Sequence, residues 1–127
     1  MTKSAISTTK APAAIGPYAQ AIVAANLVFV SGQIAIDPAT GSLIEGSISD
    51  QTHRIMKNLS AIAEAADLSL EAVVKTTIYL KNMSDFKAVN EVYGSYFSAP
   101  PPARATIEVS ALPLDAAVEI EAILVKA

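Results

Sequence analysis

Few residues of this chain could do chemistry, and most of them are charged. Arg104 follows three prolines, Pro100-Pro101-Pro102, and opens the stretch Arg104-Ala105-Thr106-Ile107-Glu108-Val109. Each proline fixes φ at about −65° and lacks an N–H, so the run is a semi-rigid lead-in to the arginine. The alternation that follows has the period of a strand, with Ala105, Ile107 and Val109 on one face and Arg104, Thr106 and Glu108 on the other. Near the end of the chain the pattern recurs, with Val118, Ile120, Ala122 and Leu124 facing one way and Glu119, Glu121, Ile123 and Val125 the other. If both apolar faces pack under helices, Arg104, Thr106 and Glu108 lie beside Glu119 and Glu121. Two chemistries fit that placement. Arg104 pairs with Glu119, Glu121 or Glu108 as a cross-strand ion pair, or it sits in a cleft and grips a small carboxylate with its forked guanidinium.

Composition removes other chemistries. The chain has no cysteine, hence no disulfide, thiolate nucleophile or cysteine metal site. His53 is the only histidine, so a Ser-His-Asp triad has one possible centre and a histidine-rich metal site has none. His53 falls off the apolar stripe around it and reads as a solvated surface residue. The net charge is −3 with no basic cluster, which does not favour a nucleic-acid partner. Hydrophobic residues make up 52 %, yet no apolar run reaches the roughly 18 residues that span a bilayer. That surplus predicts a second buried surface and hence an oligomer. The first 36 residues hold no acid, but they also lack arginine and an apolar core. They read as the ordinary N-terminal strand of a cytoplasmic protein rather than as a targeting segment.

The elements that must position these residues follow from periodicity. A length of 127 residues suits one domain over 1–127. A short strand over 3–8 precedes a loop over 11–18 broken by Pro12, Gly16 and Pro17. Residues 21–30 predict one strand, interrupted by Gly32 at a bulge or a close approach. It continues through Ile36, turns at Asp37-Pro38-Ala39-Thr40-Gly41 and returns over 42–45. Ser47 caps a helix over 47–66, with Asp50 in its first turn and Ile48, Ile55, Leu59, Ile62 and Ala66 as its apolar stripe. Residues 73–80 predict a strand with Val74, Thr76, Ile78 and Leu80 on one face. A second helix runs from Asn82 or Ser84 to Phe97, with Phe86, Val89, Tyr93 and Phe97 inward. After the prolines come a strand over 104–110, a turn over 112–115 and a last strand over 116–126. The order describes an α+β chain, a mixed sheet with two helices on one face.

Several stretches also match a known pattern in register. They are Ala11-Pro12-Ala13-Ala14-Ile15-Gly16-Pro17-Tyr18, Ser31-Gly32-Gln33, Lys75-Thr76-Thr77, Asp85-Phe86 with Asn90 and Tyr93, Pro102-Ala103-Arg104 and Glu119-Ile120-Glu121-Ala122. The ordered set resembles the RidA (YjgF) family of reactive-intermediate imine deaminases. The resemblance implies a chorismate-mutase-like fold and a homotrimer, with the sheets closed into a central barrel, the helices outside and three clefts between neighbours. It implies hydrolysis of 2-imino acids such as 2-iminopropanoate and 2-iminobutanoate to 2-oxo acids and ammonia, with no cofactor and no metal. The substrates would come from pyridoxal-phosphate dehydratases acting on serine and threonine. Position by position, Arg104 matches the arginine that binds the substrate carboxylate, and Glu119 the glutamate that positions the attacking water. Tyr18 and Ser31 match pocket residues and Asn90 a polar group near the mouth. Thr106 joins the substrate-binding set where many relatives carry cysteine. With Arg104 close, Glu119 is expected to ionise more readily than usual. Two other activities fit the resemblance: a trimeric binder or sensor of small carboxylates, and a ribonuclease or translation inhibitor, against which the acidic balance argues.

Overall fold

The computed structural model describes residues 2–127. Its main sheet has six strands. β1 (Lys3–Ile6), β2 (Ala21–Ala24) and β3 (Leu27–Gln33) form an antiparallel ribbon. β4 (Ile36–Asp37) and β5 (Ser42–Leu43) make a separate small hairpin, and α1 (Ile48–Ala65) leads to β6 (Val73–Leu80). α2 (Phe86–Gly94), β7 (Ala103–Glu108) and β8 (Val118–Val125) complete the chain. The strand order is β1-β2-β3-β8-β6-β7. Only β6 and β7 run parallel, as a connection through a helix requires.

Where the periodicity predicts one strand over 21–30, the chain forms a hairpin. Ala24 pairs with Leu27, leaving Ala25 and Asn26 as a two-residue turn, with Ala25 at φ 53°. Tight hairpin turns need left-handed backbone, and glycine is its usual signal. Asn26 is the only cue the sequence offers.

Helix α1 starts where the sequence requires. Asp50 N–H donates to the Ser47 hydroxyl at 3.1 Å, and the Asp50 carboxylate accepts from Ser47 N–H at 3.2 Å, a reciprocal capping box. The stripe Ile55, Leu59 and Ile62 is buried, as is Met56, against Val118, Ile120, Ala122 and Leu124 of β8 and Ile78 and Leu80 of β6. Asn58 is buried on the same helix; its side-chain amide donates to the Ile36 carbonyl at 3.0 Å. That bond ties the start of β4 to α1. The second helix is shorter than the spacing predicts. A 3₁₀ turn over Met83–Asp85 replaces its first turn, and neither Asn82 nor Asp85 makes a side-chain cap.

The faces of β7 correct the sequence reading. β7 pairs with β6 so that Arg104 lies opposite Thr76, Thr106 opposite Ile78 and Glu108 opposite Leu80. Thr76, Ile78 and Leu80 are buried toward the helices. Arg104, Thr106 and Glu108 therefore share the helix-side face, and Ala105 and Ile107 share the open face with Tyr79, Glu119 and Glu121. The physical reason is position: β7 is an edge strand, where the helices leave little to cover, so alternation alone does not say which face is inward. Ile107 stays 46 % exposed and Phe29, on the same open face, 42 %.

Candidate functional site

The residues singled out by chemistry fall into two groups on opposite faces of the sheet. The first group surrounds a cleft of about 630 Å³ lined by Pro12, Tyr18, Ser31, Gly32, Leu114 and Glu119 among others. A bulge builds its floor. Val30 pairs with Ala122 but Gln33 pairs with Ile120, so β3 spends an extra residue across Ser31 and Gly32. Glu119 lies directly over Gly32: a methyl group there would come within 2.8 Å of the carboxylate carbon. The glycine in the strand thus marks both a bulge and a close approach. Gly32→Ala is expected to keep the fold, because the flexible end of Glu119 can yield, while displacing the carboxylate. If Glu119 acts on substrate, a displacement of about 1 Å lowers turnover by on the order of 10²-fold, read as kcat against an unchanged melting temperature.

Burial pushes the Glu119 carboxyl above its ordinary value, and the charge of Glu121 adds to the effect. This reverses the expectation of easier ionisation. Arg104 is two strands away on the other face, so its charge does not offset the burial of Glu119.

The wall of the cleft is held by backbone bonds. The Ser31 hydroxyl donates to the Ala19 carbonyl at 2.6 Å, and Ser31 N–H donates to the Gln20 carbonyl at 3.0 Å. Ser31 therefore fixes the loop as well as facing the cleft. Gln20, which the sequence reading passes over, is buried and fully engaged. Its amide donates to the carbonyls of Thr8 at 3.0 Å and Pro12 at 2.7 Å, and its oxygen accepts from Thr8 N–H at 2.7 Å. A glutamine between a proline-rich loop and an apolar strand is the only signal the sequence offers for it. The rim is apolar and open: Ile15 is 86 % exposed, Leu114 67 % and Tyr18 54 %.

The second group is the seat of Arg104 on α2. Arg104 Nη1 donates to Asn90 Oδ1 at 2.7 Å. Its guanidinium carbon lies 5.3 Å from the Phe86 ring centroid and 5.2 Å from that of Tyr93, within cation–π range. None of the expected ion pairs forms. Glu108 accepts from Met83 N–H at 2.7 Å and Glu121 from the Tyr79 hydroxyl at 3.1 Å. The one salt bridge among the described residues joins Lys81 to Asp115. With one prong on Asn90, the other guanidinium donors remain free for an acid group. Two residues along β7, Thr106 Oγ1 is buried without a hydrogen-bond partner, the one such side-chain atom among the described residues. His53 belongs to neither group; it is exposed, with Nδ1 2.8 Å from the Tyr96 hydroxyl. No cluster of three metal-ligating side chains occurs among the described residues. No helix is long and apolar enough to cross a membrane.

The fold and these two groups define an α+β chain that presents a seated arginine on one face of a mixed sheet and a carboxylate cleft on the other. Comparison with known proteins places it. The family model described as Endoribonuclease L-PSP matches residues 8–126, and the chain belongs to that family, the RidA (YjgF) family. It is 53 % identical to Reactive Intermediate Deaminase A, chloroplastic, of Arabidopsis thaliana, covering 95 % of this chain and 65 % of that one. It is 48 % identical to the Mus musculus 2-iminobutanoate/2-iminopropanoate deaminase, with 98 % and 92 % covered. Among solved structures, E. coli TdcF with bound serine superposes with a TM-score of 0.93 at 39 % identity, covering 98 % of this chain and 99 % of that one.

Proposed function

We propose that this protein hydrolyses 2-imino acids such as 2-iminopropanoate and 2-iminobutanoate to 2-oxo acids and ammonia, in clefts built between copies of the chain. The observation that carries the reading is the separation of the two half-sites. Arg104 with Asn90 and Phe86 lies on the helix-side face at the β7 edge, and Glu119 with Ser31 and Tyr18 lies in the cleft on the other side. One chain cannot bring them together. A neighbour that covers the open sheet face, where Phe29 and Ile107 remain exposed, brings its Arg104 edge to the Glu119 cleft of the first. A closed cyclic trimer with a barrel of sheets at its centre satisfies this with three identical sites.

The chemistry then divides between the copies. Arg104 of one copy takes the substrate carboxylate with its free donors and fixes the imine carbon in orientation. Glu119 of the other takes a proton from water as the water oxygen forms a bond to the carbon of the protonated imine and the C=N π pair moves onto nitrogen. The resulting carbinolamine breaks its C–N bond, and the proton held by Glu119 leaves with the nitrogen as ammonia. The carbinol O–H passes its proton to the departing ammonia, which leaves as ammonium as the 2-oxo acid forms. The elevated carboxyl of Glu119 is a stronger base than an ordinary glutamate, which suits it to this task. Tyr18, Ser31 and Thr106 complete the lining around the bound acid.

Two relatives support the substrate class. The mouse relative is named for the two imines, and the E. coli TdcF structure holds bound serine, a small amino acid. A ribonuclease is a poorer fit to a chain of net charge −3. The test adds the protein to a serine or threonine dehydratase reaction and follows release of ammonia and 2-oxo acid. Faster release is expected. Tight binding of 2-oxo acid without any acceleration would instead make the protein a carboxylate binder.

A further inference from the structure

We propose that Tyr93 and Thr76 are positioning residues for Arg104, their buried hydroxyl–hydroxyl bond holding the Tyr93 ring as the seat of the guanidinium. The inference rests on the Arg104 role proposed above and extends it to two residues to which no role has been assigned. The Thr76 hydroxyl and the Tyr93 hydroxyl are 2.6 Å apart, and both residues are buried. Thr76 is also the residue of β6 that pairs with Arg104 of β7. A closed circuit results: Arg104 rests on the Tyr93 ring, Tyr93 is bonded to Thr76, and Thr76 lies beside Arg104 in the sheet.

Apolar packing holds α2 on the core, with Val89 and Tyr93 buried, but few directional bonds fix it to the sheet. It has nine residues, no side-chain cap at its start and no basic residue in its last turn. A helix so short has little stability of its own, so its placement depends on tertiary bonds. Among the described residues, two side-chain hydrogen bonds join it to the sheet, Tyr93 to Thr76 and Asn90 to Arg104. The second ends on the guanidinium that is being positioned. The first is therefore the only one that fixes the helix against the strand independently of the group being positioned. Phe86, Asn90 and Tyr93 lie at spacings of four and three, one face of the helix. A rotation of α2 would thus move all three contacts of Arg104 together.

A cycle of conservative variants separates positioning from plain stability. Thr76→Val or Tyr93→Phe alone strands one buried hydroxyl and is destabilising. The double variant removes both partners, which is close to neutral for stability. The first readout is the Arg104 Nε–Hε order parameter in ligand-free protein, which does not depend on turnover. The second is KM against kcat for the dehydratase-generated imine. In the double variant the melting temperature is expected to recover. The Arg104 order parameter should fall toward the flexible range, below about 0.6, and KM should rise about three- to tenfold with kcat within about twofold. Thr76→Ser keeps the hydroxyl and should keep both readouts at wild-type values, which guards against a double variant that folds poorly. An unchanged Arg104 order parameter in the folded double variant overturns the inference, whatever its kinetics. A wild-type protein with no imine turnover overturns the proposed function instead and leaves the order parameter to decide this one.

Discussion

Arg104→Ala is expected to lower kcat/KM for 2-imino acids by about 100-fold or more while leaving the fold intact. Each hydrogen bond from a charged donor to a carboxylate is worth about 1.5–3 kcal/mol, and the free part of the fork can supply two in parallel. Against that, the substitution costs the folded chain little. Arg104 is exposed and makes no ion pair; it loses one bond to Asn90 and two exposed cation–π contacts, each of the latter worth about 0.5–1 kcal/mol. The loss should appear in KM and in the affinity for 2-oxo acids, because the carboxylate is present in both ground and transition states. Arg104→Lys should recover little, since an ammonium offers a point charge where the site uses a fork. Near-wild-type kcat/KM in Arg104→Ala would end the carboxylate role. A collapsed variant would show that the residue is structural, and the melting temperature distinguishes the two.

Glu119→Gln carries the other large expected effect. General-base catalysis contributes about 10²- to 10⁴-fold, and an amide cannot accept the proton from water, so kcat should fall by that order with KM little changed. The pH profile should change with it. In wild type, the rate rises with pH as Glu119 ionises; burial and Glu121 raise its pKa in the separate chain, and the Arg104 that a neighbouring copy brings to the cleft opposes them. In Glu119→Gln that rise should vanish.

Stability supplies an independent reading of the same group. A carboxyl whose folded pKa lies above its unfolded one holds more protons in the folded state between the two values. Stability of the separate chain therefore falls as pH rises from about 4.5 through the elevated folded value, and stays lower above it. In the separate chain, Glu119→Gln should thus raise stability at neutral pH, with the difference closing below about pH 4.5. Co-expression of Arg104→Ala and Glu119→Gln chains joins both predictions. If each site takes one residue from each of two copies, random mixing restores roughly one quarter of the wild-type activity. If each site were internal to one chain, mixing two dead chains would restore nothing.

Much of the architecture is legible in the residues. Ser47 with Asp50 marks the start of α1, and its stripe of Ile55, Leu59 and Ile62 marks the buried side. The alternation of β8 assigns its inward face correctly, and that of β6 does so from Thr76 on; Val74, expected inward, is exposed and Val73 is buried instead, because the pairing with β8 shifts register between Val73 and Lys75. The glycine at position 32 announces a bulge and a close approach, and both are present. The hairpin at Ala25 and Asn26 is not legible, since a two-residue turn without glycine leaves an unbroken apolar run. The seat of Arg104 is half legible: Asn90 and Arg104 stand out as polar residues, but nothing local says that they meet or that Tyr93 and Thr76 lie beneath them.

By itself the sequence determined the α+β class, the cap of α1, the periods of helix and strand, and the exclusion of thiol and histidine-cluster chemistry. All of these are set by side-chain identity or by spacing along one element, where neighbours in the chain are neighbours in space. Only the tertiary structure decided that Arg104 and Glu119 face away from each other. That outcome depends on a parallel pairing between β6 and β7 and on which side of an edge strand the helices cover. Neither is encoded in β7 itself, because an alternating strand has two faces and its inward one is chosen by whatever packs against it.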